Sequence, residues 1–79
     1  MTDYHPISCE TYAELEVAIV HGTRLRVGWH ELDGSQHLES LLPVDLQTRN
    51  HEEYLIAHRP TGREAIEIRL DRIDRFTPL

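Results

Sequence analysis

The spacing of apolar residues changes at Gly22, from a helical period to a strand period. From Ile7 to His21, Tyr12, Leu15 and Ile19 fall on one side of a 3.6-residue wheel, flanked by Ser8 and Ala18. Glu10, Glu14, Val17 and His21 line up on the other side. This spacing predicts an amphipathic helix of about four turns. Ser8 is a suitable N-cap, with Pro6 just before it, where a missing N–H costs nothing. Glu10 and Glu14 put negative charge near the positive end of the helix dipole, and Gly22 suits a left-handed close.

Beyond Gly22 the period is two. Leu25, Val27 and Trp29 alternate with Arg24, Arg26 and His30, which predicts a half-buried strand. Asp33-Gly34 signals a hairpin, and the chain returns from Gln36 to Leu42. Pro43 ends the regular pairing or marks an edge or a sharp bend. Val44 and Leu46 read as buried, and Gln47 to His51 as a polar loop. Glu53 to His58 is the next strand, Pro60-Thr61-Gly62 turns the chain, and Glu64 to Leu70 alternates with Ile66, Ile68 and Leu70 inward. A short last strand, anchored by Ile73 and Phe76, runs from Asp71 to Phe76. One helix followed by about five short antiparallel strands is a mostly β, α+β chain. At this size the strands should bend into a small open barrel. Residues 1–7 read as a flexible N-terminal arm and 8–79 as a single domain.

Composition narrows the function. A chain of 79 residues buries about 60–65% of its unfolded surface, too little for a deep cavity with its own supporting shell. Fourteen acidic residues against eight arginines leave a formal net charge of −6, the opposite of a phosphate-backbone footprint. A basic protein partner and simple solubility both account for that balance. No apolar run approaches the roughly 20 residues of a membrane span, and MTDYHPIS has neither the basic nor the apolar region of a signal peptide. A cytoplasmic protein without membrane contact is expected.

The chemistry-bearing residues do not assemble into a catalytic or metal motif. His30 and His37 lie across the Asp33-Gly34 turn and His51 and His58 flank the next strand, without ligand spacing. Cys9 borders the helix's buried face and reads as a small core residue. Glu52 and Glu53 are adjacent in a strand and point apart, which spoils them as an acid–base pair. No catalytic residue, metal ligand or cofactor is assigned, and an enzyme is not expected. A single-stranded RNA-binding module would need aromatics interleaved with cations, for which Arg24 and Arg26 are the suitable face. Those arginines are expected instead to pair with acids across the sheet. On the helix, Val17 between Glu14 and His21 is what a basic, aromatic-lined groove would accept.

Ile7-Ser8-Cys9, Tyr12, Leu15-Glu16 and Ala18, followed by Asp33-Gly34, resemble the Rof family of Rho-binding antiterminators. Asp45-Leu46, Arg49-Asn50, Glu53-Tyr54-Leu55 and Arg69-Leu70-Asp71 with Ile73 and Phe76 continue the likeness. The resemblance implies an Sm-like fold, an N-terminal helix on a strongly bent five-stranded barrel. It further implies a non-enzymatic inhibitor that binds the termination factor Rho at its N-terminal primary RNA-binding domain and competes with nascent RNA, causing antitermination. Thr11 and Ala13 stand where some family members carry acids, which leaves Glu10, Glu14 and Glu16 as the acids implied to meet Rho. Val17 and His21 complete that helix contact, and Arg49 and Asn50 are implied as a second one. Direct nucleic-acid binding is not expected, and the charged Asp71, Arg72, Asp74 and Arg75 favour a monomer outside the complex.

Overall fold

A computed structural model describes residues 7–79. The arm expected at the N-terminus lies outside the described residues except for Ile7, which packs against the core. Helix α1 spans Cys9–His21. Its ends close as the residues dictate: the Ser8 hydroxyl accepts from the Thr11 amide at 3.1 Å, and Gly22 takes a left-handed φ of 64°. The Gly22 and Thr23 amides then donate to the last free carbonyls, at Ile19 and Ala18.

Five strands follow: β1 Leu25–His30, β2 Gln36–Arg49, β3 Glu52–His58, β4 Ala65–Arg69 and, after a 3-10 turn at Leu70–Arg72, β5 Ile73–Pro78. They pair antiparallel in the order β4-β3-β2-β1-β5. The sheet therefore has two halves that share β2. Its first part pairs with β1 (Leu25 opposite Leu41), and its second part pairs with β3 (Leu42 opposite His58 onward).

Pro43 marks the bend between the two halves. It is fully buried opposite Ala57, and the register shifts between Pro43 and Asp45, so Val44 is the extra residue of a bulge. This corrects two expectations. Val44 is exposed, because the bulge turns it away from the core. Gln47, Thr48 and Arg49 continue the strand opposite Tyr54, Glu53 and Glu52, and only Asn50 and His51 form the turn. Both turn residues have positive φ, 51° and 66°, the geometry of a tight two-residue hairpin that matches sheet twist.

Leu15 and Ala18 of α1 bury against Leu25, Val27 and Trp29 of β1, Leu41 of β2, Leu55 and Ala57 of β3, Ile68 of β4 and Leu70. Tyr12 and Ile19 pack at the rim of this core, so the helix's buried line centres on Leu15. Cys9 corrects another expectation: it is exposed rather than part of the core.

Candidate partner-binding site

The face of α1 turned from the core opens onto a cleft of about 500 Å³ between the helix and β5. Ala18, Leu25, Phe76 and Pro78 supply its apolar floor and far wall, while Glu10, Ala13, Glu14 and Val17 form the helix side. Strand alternation explains the wall. Phe76 and Pro78 stand opposite Val27 and Leu25 and so point to the helix side of the sheet. The inward set of β5 is too short of covering helix to be fully buried, and it remains open beneath the acids.

Glu10 and Glu14 are exposed, and neither forms an ion pair with another described residue. Val17 is 56% exposed beside them. His21, one turn farther on, is exposed but lies beyond the residues lining the cleft. Glu16 takes a different flank. It approaches Tyr12 together with Asp45 and Glu53, and burial followed by these carboxylates holds the Tyr12 phenol above its ordinary pKa of 10.0. The helix thus carries acids on two sides, and the second acidic group, with members from β2 and β3, left no local trace in the sequence.

Arg49 and Asn50 sit at the β2–β3 turn and do not line the helix cleft. Arg49 donates to both carboxylate oxygens of Glu67 at 2.9 and 2.8 Å, and its guanidinium lies 4.3 Å from the centre of the Tyr54 ring. Glu67 keeps that guanidinium above its ordinary pKa. The Tyr54 hydroxyl donates to Glu52 at 2.7 Å, and that bond raises its own pKa. Asn50 supplies the left-handed backbone that the turn needs.

The histidines are dispersed. His30 meets Asp74 at 3.0 Å, whereas His37 stacks on Trp29 with ring centres 4.8 Å apart, on the opposite face of the sheet. Trp29 donates its indole N–H to Glu31 at 3.0 Å. Among the described residues no group of three or more His, Cys, Asp or Glu side chains is placed to hold a metal. No helix of the described residues is long and apolar enough to cross a membrane.

Three comparisons bear on this arrangement. Protein rof of Escherichia coli (strain K12) is 35% identical over 74 residues, covering 94% of this chain and 81% of that protein. Protein rof of Shigella flexneri matches to the same extent. The chain belongs to the Rof family. The WYL domain family matches as well, over residues 10–78, so the Rof family sequence seen here also carries a WYL domain. Proteasome accessory factor B/C (PafBC) of Arthrobacter aurescens superposes with a TM-score of 0.78 over 96% of this chain and 12% of its own. At 21% identity that likeness is one of fold: the Rof family helix-and-barrel recurs as a small part of a much longer protein.

Proposed function

We propose that this Rof family chain is a non-enzymatic inhibitor of Rho-dependent transcription termination. In this reading α1 docks on the N-terminal RNA-binding domain of Rho and competes with nascent RNA. The observation that carries it is the pair Glu10 and Glu14, exposed and without an ion-pair partner among the described residues, beside an apolar cleft. A surface that holds pyrimidine-rich RNA offers cations and aromatic platforms. The two carboxylates answer the cations, and Val17 with the cleft answers the aromatics. Opposite charge also speeds encounter, by a factor that falls as salt rises.

Membership of the Rof family supports the same reading. The protein acts as a monomer within a heteromeric complex in the cytoplasm. Glu10, Glu14 and Val17 form the principal contact, Glu16 and His21 its margins, and Arg49 and Asn50 a separate one.

The test is a titration of the labelled protein with Rho hexamer, alone and with oligo(C) competing. Saturable binding to Rho that oligo(C) displaces is the expected outcome. The charge-reversed pair Glu10→Lys and Glu14→Lys should weaken binding at least tenfold, consistent with loss of two interfacial charges. No binding to Rho, or binding that oligo(C) leaves untouched, overturns the proposal.

A further inference from the structure

Between α1 and β5 two clefts lie end to end. The cleft of about 500 Å³ described above meets a second, of about 480 Å³, and Glu14 and Phe76 line both. The second is bounded by Ile7, Ser8 and Thr11 at the start of α1 and by Ile73, Asp74 and Arg75 at the start of β5. Helix and strand therefore run side by side in the same direction, and the groove between them follows β5 from Ile73 to Pro78. A strand of that length is about 20 Å long.

The strand side of the groove has backbone groups to offer. β5 stands at the end of the sheet order, with β1 on one side. The Leu79 amide donates to the Arg24 carbonyl at 3.0 Å, so by antiparallel alternation Thr77 and Arg75 turn their backbone groups to β1. The Phe76 amide and carbonyl and the Pro78 carbonyl face the other way, where no described strand pairs with them. Pro78 has no N–H, so this edge is short. It resists continuous pairing between two sheets and still accepts a short strand.

The side chains define what such a strand carries. On the helix side, Ala18, Leu25, Phe76 and Pro78 offer apolar surface below Glu10 and Glu14, which have no ion-pair partner among the described residues. A second copy of this chain would bring a net charge of −6 to that acidic rim, whereas arginine or lysine would be matched by it. The reverse face of the sheet differs. Arg75 and Thr77 point there, and Arg26 stands opposite Thr77. Arg24 and Arg26 correct an expectation: neither pairs with an acid across the sheet among the described residues. Basic side chains on that face of an added strand would be repelled.

We propose that the groove between α1 and β5 receives an extended segment of the partner as a sixth strand. Its main chain bonds Phe76 and Pro78. One alternate set of its side chains enters the groove, apolar at the centre and basic toward Glu10 and Glu14. The other set, on the side of Arg75, is uncharged or acidic. The proposal rests on the reading of the α1 cleft as the partner contact and adds the form of the element that enters it.

The experiment titrates the full chain with the capped heptapeptide TRTVTRT, whose palindromic order serves either strand direction, and reads amide NMR and hydrogen exchange. Saturable binding is expected, with shifts at Val17, Phe76 and Thr77 and slowed exchange of the Phe76 amide. The acidic counterpart TETVTET should bind about tenfold more weakly, and so should TRTVTRT to the chain carrying Glu10→Gln with Glu14→Gln. N-methylation of alternate peptide amides leaves the protein untouched and separates a strand from a charged coil. Methylation along one edge should weaken binding about tenfold and along the other by less than about threefold, because only one edge meets β5. Absence of saturable binding, equal effects of methylating either edge, or unchanged exchange at Phe76 overturns the added strand. Rho binding in the same preparation then leaves the helix contact standing, whereas peptide binding without Rho binding supports the groove and removes only that partner. Self-association that the peptide disrupts assigns the groove to a second copy and overturns the proposal. Peptide binding that appears only on deletion of residues 1–6 assigns it to the chain's own N-terminal segment and overturns the proposal as well.

Discussion

The two halves of the bent sheet treat their strand arginines in opposite ways. In the half made by β3, β4 and the end of β2, charges are matched close at hand. Arg49 is held by Glu67, and Arg69 reaches Glu52 at 3.0 Å and Asp71 at 2.6 and 2.8 Å. In the half made by β1, β5 and α1, Glu10 and Glu14 stand on one side and Arg26 and Arg75 on the other, with no ion pair to another described residue. The difference teaches where recognition and stability reside. A charge neutralised by its own chain has little left to offer a partner, while an unmatched charge contributes little to folding.

Arg59 ties the halves together. From the end of β3 it donates to both Glu39 oxygens, at 2.7 and 3.2 Å, and Glu39 belongs to the first half. The same carboxylate lies 3.9 Å from His37. Hydrogen bonding and attraction from Arg59 hold the Glu39 carboxyl below its ordinary pKa of 4.5.

The contrast is broken most severely at Arg69. Its side chain is only 10% exposed and that of Asp71 only 8%, so Arg69→Gln strips a guanidinium from nearly buried carboxylates. A loss of about 2 kcal/mol is expected, below the range of about 3–5 kcal/mol for a fully buried pair because these side chains keep some exposure. In a domain of this size that lowers Tm by roughly 10 °C, readable by circular dichroism. A change below a few degrees would show that the matched half does not depend on its matching.

Arg59→Gln comes next, with a smaller loss at neutral pH than Arg69→Gln, because this pair is partly solvated. Its pH dependence is the sharper test. A carboxylate whose folded pKa is depressed stabilises fully above the unfolded value and loses that contribution as pH falls through the folded one. Urea midpoints of wild type and Arg59→Gln should therefore differ at pH 7 and converge below the depressed Glu39 value. A gap that persists in acid would mean that Arg59 contributes by packing alone.

Arg49→Ala is smaller again. Its pair with Glu67 is about half exposed on both sides, so a Tm shift of about 3 °C is expected, shrinking in high salt. Smallest of all for stability are Glu10→Gln with Glu14→Gln, and Arg26→Gln with Arg75→Gln. Each pair should leave Tm within about 2 °C, because exposed charges without a partner contribute little. A fall as large as that of Arg69→Gln would erase the distinction between the two halves.

Much of the candidate site was legible before the fold was known. Glu10, Glu14 and Val17 share a helix side because helical spacing places them there, and they do flank one cleft. The cleft's other wall was not legible. Phe76 and Pro78 come from the far end of the chain, and only the pairing of β5 with β1 brings them under α1. Glu16 shares the helix but looks toward Tyr12, Asp45 and Glu53, a neighbourhood set by how the helix seats on the sheet. The run Gln47 to Arg49 reads as a loop because its residues are polar. It is a strand because the Asn50-His51 turn fixes its pairing with β3.

The sequence by itself determined the capped helix, the alternation of β1 and the hairpin at Gly34, each of which depends on neighbours a few residues apart. Tertiary structure alone decided which charges cancel. Arg49 and Glu67 are 18 residues apart, Arg59 and Glu39 20, and Arg69 and Glu52 17. Such pairs form only after the bulge at Val44 and the left-handed turn at Asn50 have set the register. One residue of slip would turn each of these side chains to the other face of the sheet, so the charge pattern of the surface is a consequence of register, a property of the folded sheet and of no local segment.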